Sequence, residues 1–83
     1  MTGNEALRAA VPRLQAAGIA DAARDARVLL AHAMGIAADR LTLHLPDALS
    51  PEAIAGFEAA VAARANRQPV AQITGGRLFW SRR

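Results

Sequence analysis

The chain has 83 residues, a hydrophobic fraction of 53%, a net charge of +3 and no cysteine. That length suits one small domain near the lower limit for an unstapled core, and the missing cysteines exclude disulfides and thiolate metal sites. No apolar run approaches the ~20 residues that span a bilayer, and Met1 to Glu5 lacks the features of a signal peptide, so a cytoplasmic setting is expected.

Asn4 reads as the N-cap of a first helix that carries Leu7, Val11 and Leu14 on one face. Pro12 either kinks that helix or marks where its regular part begins, and Gly18 ends it. Asp21 is expected to cap a second helix, Ala22 to Met34, stopped by Gly35. Its apolar stripe is Ala22, Ala26, Leu29, Leu30, Ala33 and Met34, with Arg24, Asp25 and Arg27 on the solvated face.

A short third helix is expected over Ala38 to Leu45, with Leu41 and Leu45 inward and Pro46 closing it. Ser50-Pro51-Glu52 combines a hydroxyl cap, a first-turn proline and a first-turn acid, so a fourth helix begins there. It runs to about Asn66, buries Ile54, Phe57 and Val61, and is alanine-rich. Pro69 opens one further helical turn with Val70 and Ile73. Gly75-Gly76 then leads into Arg77-Leu78-Phe79-Trp80, an apolar extended run with no ladder partner, as expected of a junction into something longer. The fold expected is all-α: a small bundle of four to five helices over residues 1–74, with a short extended linker segment beginning at 75–83. Because alanine supplies much of the apolar content, the core must form by close packing through small residues.

The residues give little sign of catalysis. His32 and His44 fall on different helices, His32 reading as a structural histidine and His44 as a donor to helix-terminal carbonyls or a solvated group. The seven acids are dispersed, with Asp21, Asp39 and Glu52 near helix starts. Gly75-Gly76 precedes a strand-like run, the reverse of the order that cradles a phosphate. No catalytic, cofactor-binding or metal-binding residue is assigned. Every basic residue is arginine, mixed with acids instead of forming the dense run of a nucleic-acid track. Arg64, Arg67 and Arg77 do group near the end of the fourth helix. They read either as compensation of the helix dipole or as a patch facing a partner.

The order Asp25-Ala26-Arg27-Val28-Leu29-Leu30-Ala31-His32-Ala33-Met34-Gly35, then Arg40-Leu41, Ser50-Pro51-Glu52 and Phe57, resembles one family. So does Arg64 through Pro69-Val70-Ala71-Gln72-Ile73-Thr74-Gly75, followed by Phe79-Trp80. The resemblance is to the N-terminal domain of the HemK/PrmC family, the peptide chain release factor glutamine methyltransferases, and it covers Leu7 to Trp80. It implies a helical N-terminal domain, a short linker and a C-terminal methyltransferase domain in cis. That domain would transfer a methyl group from S-adenosylmethionine to the glutamine of the Gly-Gly-Gln motif of class I release factors. The family's Asn-Pro-Pro-Tyr signature and glycine-rich cofactor loop are absent from these residues, so no cofactor is expected on them and they are expected to be inactive alone. Gln72 departs from the family, which usually carries an aromatic there. The role implied is to recognise and position the release factor, with Arg64, Arg67 and Arg77 as candidate contacts. The alternatives are a basic RNA- or ribosome-binding module and a purely structural support for the methyltransferase domain.

Overall fold

The structure, a computed structural model, describes residues 1–74; the expected linker, with Arg77, Phe79 and Trp80, lies outside them. The described residues form the all-α fold that the sequence leads one to expect. Helix α1 spans Gly3–Ala16, α2 Ala22–Met34, a 3-10 turn Ala38–Arg40, α3 Leu41–His44 and α4 Pro51–Ala65. Residues 70–74 are helical again. Among the described residues no strand forms, and the one extended pairing is an isolated bridge between Thr2 and Ala48.

The arrangement follows from which ends meet. The Leu49 N–H donates to Met1 O at 2.8 Å and the Asn4 N–H to Leu45 O at 3.0 Å, which seats the start of α1 beside the start of α4. At the other end Arg67 lies against Gly18, so α1 and α4 run side by side in the same sense. Helix α2 packs against both. Leu14, Leu29, Leu30, Leu41 and Val61 are fully buried, and Phe57 is the one Phe, Tyr or Trp among the described residues. Burying each such side chain contributes roughly 1.5–3 kcal/mol before entropy is counted. Between them sit Ala6, Ala10, Ala22, Ala26, Ala31, Ala53 and Ala60. Small residues let helix axes approach closely, as the composition requires.

Several local expectations are corrected. The N-cap of α1 is Thr2, not Asn4: Thr2 Oγ1 accepts from the Glu5 N–H, and Glu5 Oε1 accepts from the Thr2 N–H. That reciprocal box satisfies two donors at once, and it draws the helix start back beside Ala48. The helix then runs unbroken through Pro12, which is exposed. Its buried stripe is Gly3, Ala6, Ala10 and Leu14, while Leu7 and Val11 are only half-buried. The physical reason is close approach: the alanine edge faces the neighbouring helices and the larger side chains ride on its flank. The same exchange of small for large occurs in α4, where Ala53 and Ala60 are buried and Ile54 is half-buried.

Asp21 occupies the N-cap position of α2 but makes no side-chain cap bond. Gly35 closes α2 at φ 74°, in the left-handed region that glycine adopts without penalty. The expected third helix is divided into the 3-10 turn and α3, with Leu41 fully buried and Leu45 partly so. His44 Nδ1 lies 3.0 Å from Asp47 Oδ2 in an exposed pair. The Ser50 cap is as expected, its Oγ accepting from the Ala53 N–H at 3.1 Å.

Candidate functional site

The polar chemistry of the described residues concentrates where α4 ends and the chain leaves the bundle. Asp25, expected on a solvated face, is the buried charged residue of the core, at 7% exposure. Its carboxylate Oδ2 accepts from Arg64 Nε at 2.8 Å, joining the first turn of α2 to the last turn of α4. Isolated, such a carboxylate carries a large desolvation cost; paired and hydrogen-bonded, it is tolerated. The signal for its burial is present in the spacing. Asp25 lies three residues after Ala22 and four before Leu29, on the buried stripe itself.

Arg64 serves a second group with the same guanidinium. Its Nη1 donates to the Gln68 carbonyl at 3.0 Å. Gln68 is held from its other side as well, because its N–H donates to Ala63 O at 3.1 Å. Between them Arg67 turns the chain at φ 73°, a left-handed conformation in a residue that is not glycine. The Arg67 guanidinium then reaches back to the end of α1: a Cβ built on Gly18 would meet Arg67 Nη2 at 2.8 Å. Two helix C-termini, α1 and α4, converge here, and cations are favoured beside both.

Of the three arginines expected to act together, the structure places Arg64 inside an ion pair and Arg67 at the exposed turn three residues later. Arg77 lies outside the described residues. The charge is distributed unevenly along the chain. All seven acids fall within residues 1–74, while Arg77, Arg82 and Arg83 lie beyond, so the described helices are formally neutral and residues 75–83 carry the excess of +3.

Beside this corner runs a groove of about 530 Å³. Gly56, Ala59 and Ala63 of α4 line it, together with Met34 of α2 and Gln72 and Ile73 of the last helical turn. Gln72, where an aromatic is usual in the family it resembles, thus lines the groove. His32 also borders the groove. Among the described residues no group of three or more His, Cys, Asp or Glu side chains is close enough to hold a metal. No buried side-chain nitrogen or oxygen among them lacks a partner. No helix among the described residues is long and apolar enough to cross a membrane. The arrangement holds backbone at the chain exit and presents surface beside it.

Comparison with known proteins agrees with the residue pattern. The family of PrmC N-terminal domains matches residues 5–75. A release factor glutamine methyltransferase of Cereibacter sphaeroides is 74% identical over 83 residues, covering 100% of this chain and 30% of the relative. One from Mycolicibacterium smegmatis is 45% identical over 74 residues, 89% of this chain and 26% of the relative. A bifunctional methyltransferase of Rickettsia conorii is 33% identical over 73 residues, 88% of this chain and 14% of the relative. The chain therefore spans less than a third of the length of these relatives. No solved structure matches it.

Proposed function

Because the chain belongs to the PrmC N-terminal domain family, we propose that it is the helical recognition part of a release factor glutamine methyltransferase. In this reading residues 1–74 recognise and position a class I release factor in the cytoplasm. Residues 75–83 begin the linker to a methyltransferase domain in cis, which uses S-adenosylmethionine to methylate the Gly-Gly-Gln glutamine. No cofactor contact and no step of the transfer is assigned to residues 1–74. This part alone is accordingly expected to be inactive.

The observation that carries the reading is the identity of 74% over the whole chain with under a third of a release factor glutamine methyltransferase. The physical case is one of effective concentration. A short glutamine-bearing loop offers little surface by which one protein target can be selected, whereas a second contact tethered near the active site raises local concentration and fixes orientation. Arg67, exposed at the turn, and Arg77 are proposed as contacts to the release factor, with Arg64 supporting the turn from beneath. The RNA-binding alternative loses support from the neutrality of the described helices, because phosphate tracking needs clustered positive charge.

The test is deletion of residues 1–74 from the full-length enzyme. Methylation of intact release factor is expected to fall while methylation of a short Gly-Gly-Gln peptide persists. Equal loss on both substrates, with loss of solubility, would establish the purely structural role instead. Charge reversal at Arg67 and Arg77 is expected to weaken methylation of the intact factor, and unchanged activity would remove those two residues from the interface.

A further inference from the structure

The ion pair at the chain exit holds more than two helices together. The Gln68 carbonyl belongs to the same peptide unit as the Pro69 nitrogen. When Arg64 Nη1 donates to that carbonyl, it fixes the plane of the Gln68–Pro69 peptide relative to α4. Because Arg64 Nε is bonded to Asp25, the same plane is also fixed relative to α2. Proline restricts the next φ to a narrow range. The Pro69 carbonyl then accepts from the Gln72 and Ile73 N–H groups at 3.0 and 3.1 Å, the first bonds of the helical turn over 70–74. An unbroken chain of constraints thus runs from a buried carboxylate in α2 to the last residues that leave the bundle.

We propose that Asp25 and Arg64 are positioning residues: they fix the Gln68–Pro69 peptide and the helical turn over 70–74 relative to the bundle, and so set the direction in which that turn leaves it. The choice of residue types supports this. An apolar pair of similar volume would hold α2 against α4 at least as well, since buried ion pairs bring little net stability. An apolar side chain cannot also hold a backbone carbonyl. The planar guanidinium can, because its donors are fixed in a rigid fork and point at two acceptors at once. A lysine ammonium in the same place would keep the attraction to Asp25 without the fixed angle between the two bonds. The conformation at Arg67 is consistent with a turn held from several sides. Its positive φ persists without glycine because the Arg67 and Gln68 N–H groups donate to the Arg64 and Ala63 carbonyls and close the end of α4. The proposal rests on the reading that this domain positions a partner for chemistry performed elsewhere in the protein.

The experiment compares Arg64→Lys and Asp25→Asn in the full-length enzyme, with hydrogen exchange at Gln72 and Ile73 and methylation kinetics on intact release factor and on a short Gly-Gly-Gln peptide. Exchange at both amides is expected to be on the order of ten-fold faster in each variant, while core amides of α2 remain protected in Arg64→Lys. KM for the intact factor is expected to rise several-fold, with kcat and the peptide kinetics unchanged. Wild-type exchange at Gln72 and Ile73 in Arg64→Lys would overturn the proposal. Fast exchange with unchanged kinetics on the intact factor would also overturn it, since the exit would then be loosened without consequence. Neither failure touches the recognition reading, which the deletion of residues 1–74 tests separately. Arg64→Lys keeps the ion pair, so the answer does not depend on Asp25→Asn folding.

Discussion

The two ends of this bundle are closed by different means. At the opening end, Met1 to Asn4 lie against Leu45 to Leu49 through backbone hydrogen bonds, an isolated bridge and a glycine pressed on Leu45. At the exit end, charged side chains separated by 39 residues do the closing, and a left-handed arginine lies over a left-handed glycine. Backbone closure tolerates most side chains but little added volume. Side-chain closure tolerates volume but depends on the identity of a few groups, and so sets a direction that substitution can alter. The opening end is thus sensitive to added bulk, and the exit end to the chemistry of Asp25, Arg64 and Arg67.

The sharpest break is at the exit. Asp25→Ala strands a mostly buried guanidinium, and a loss of about 2–4 kcal/mol is expected in chemical denaturation, reduced from the fully buried case because Arg64 keeps some solvent contact. The double replacement Asp25→Leu with Arg64→Met sharpens the contrast. Stability is expected to return to within about 1 kcal/mol of wild type, while exchange at Gln72 and Ile73 stays fast. Recovery of both would reduce the pair to a packing element.

Breaking the opening end takes volume instead of charge. A Cβ at Gly3 would lie 3.1 Å from Leu45 O and 3.2 Å from Leu45 Cα. That carbonyl also accepts from the Asn4 N–H, so the backbone cannot give way freely. Gly3→Val is expected to cost about 1–3 kcal/mol, read as a lower thermal midpoint, with methylation kinetics unaffected below that midpoint. Thr2→Ala removes one half of the capping box and should cost about 1 kcal/mol in the same measurement.

Smaller effects separate the ends further. Arg67→Gly relieves a left-handed conformation, so stability is expected to rise by up to about 1 kcal/mol even as the proposed partner contact is lost. A fall in stability would mean that the contact with Gly18 outweighs the strain. The exposed Arg13–Glu58 pair, 2.8 Å apart between α1 and α4, should show a coupling energy of no more than about 0.5 kcal/mol in a double-mutant cycle, vanishing at high salt.

Much of the fold is legible in the chain itself. The starts and stops at Ser50, Gly18 and Gly35 are local chemistry, each readable from a cap or from a φ that glycine permits. The helical class follows from 3.6-residue spacing, and the reliance on small residues follows from composition. The departures in burial share one cause: at the helix contacts, close approach outweighs the usual guides of size and charge. Leu7, Val11 and Ile54 look inward by size, whereas Gly3, Ala6, Ala10, Ala53 and Ala60 occupy the helix contacts. Asp25 looks outward by charge, although its spacing puts it on the buried stripe.

The helical class, the stops at Gly18 and Gly35, the start at Ser50 and the family are all readable from the chain, because they depend on residues near one another or on an ordered pattern. That Arg64 faces Asp25 while also holding Gln68, and that Arg67 covers Gly18, is seen only in the folded bundle. The Asp25–Arg64 and Gly18–Arg67 contacts join positions far apart in the chain, and their partners are selected by how closely α1, α2 and α4 approach. No propensity or charge pattern contains that distance; it emerges when alanine-lined faces pack and bring the distant groups within hydrogen-bond reach.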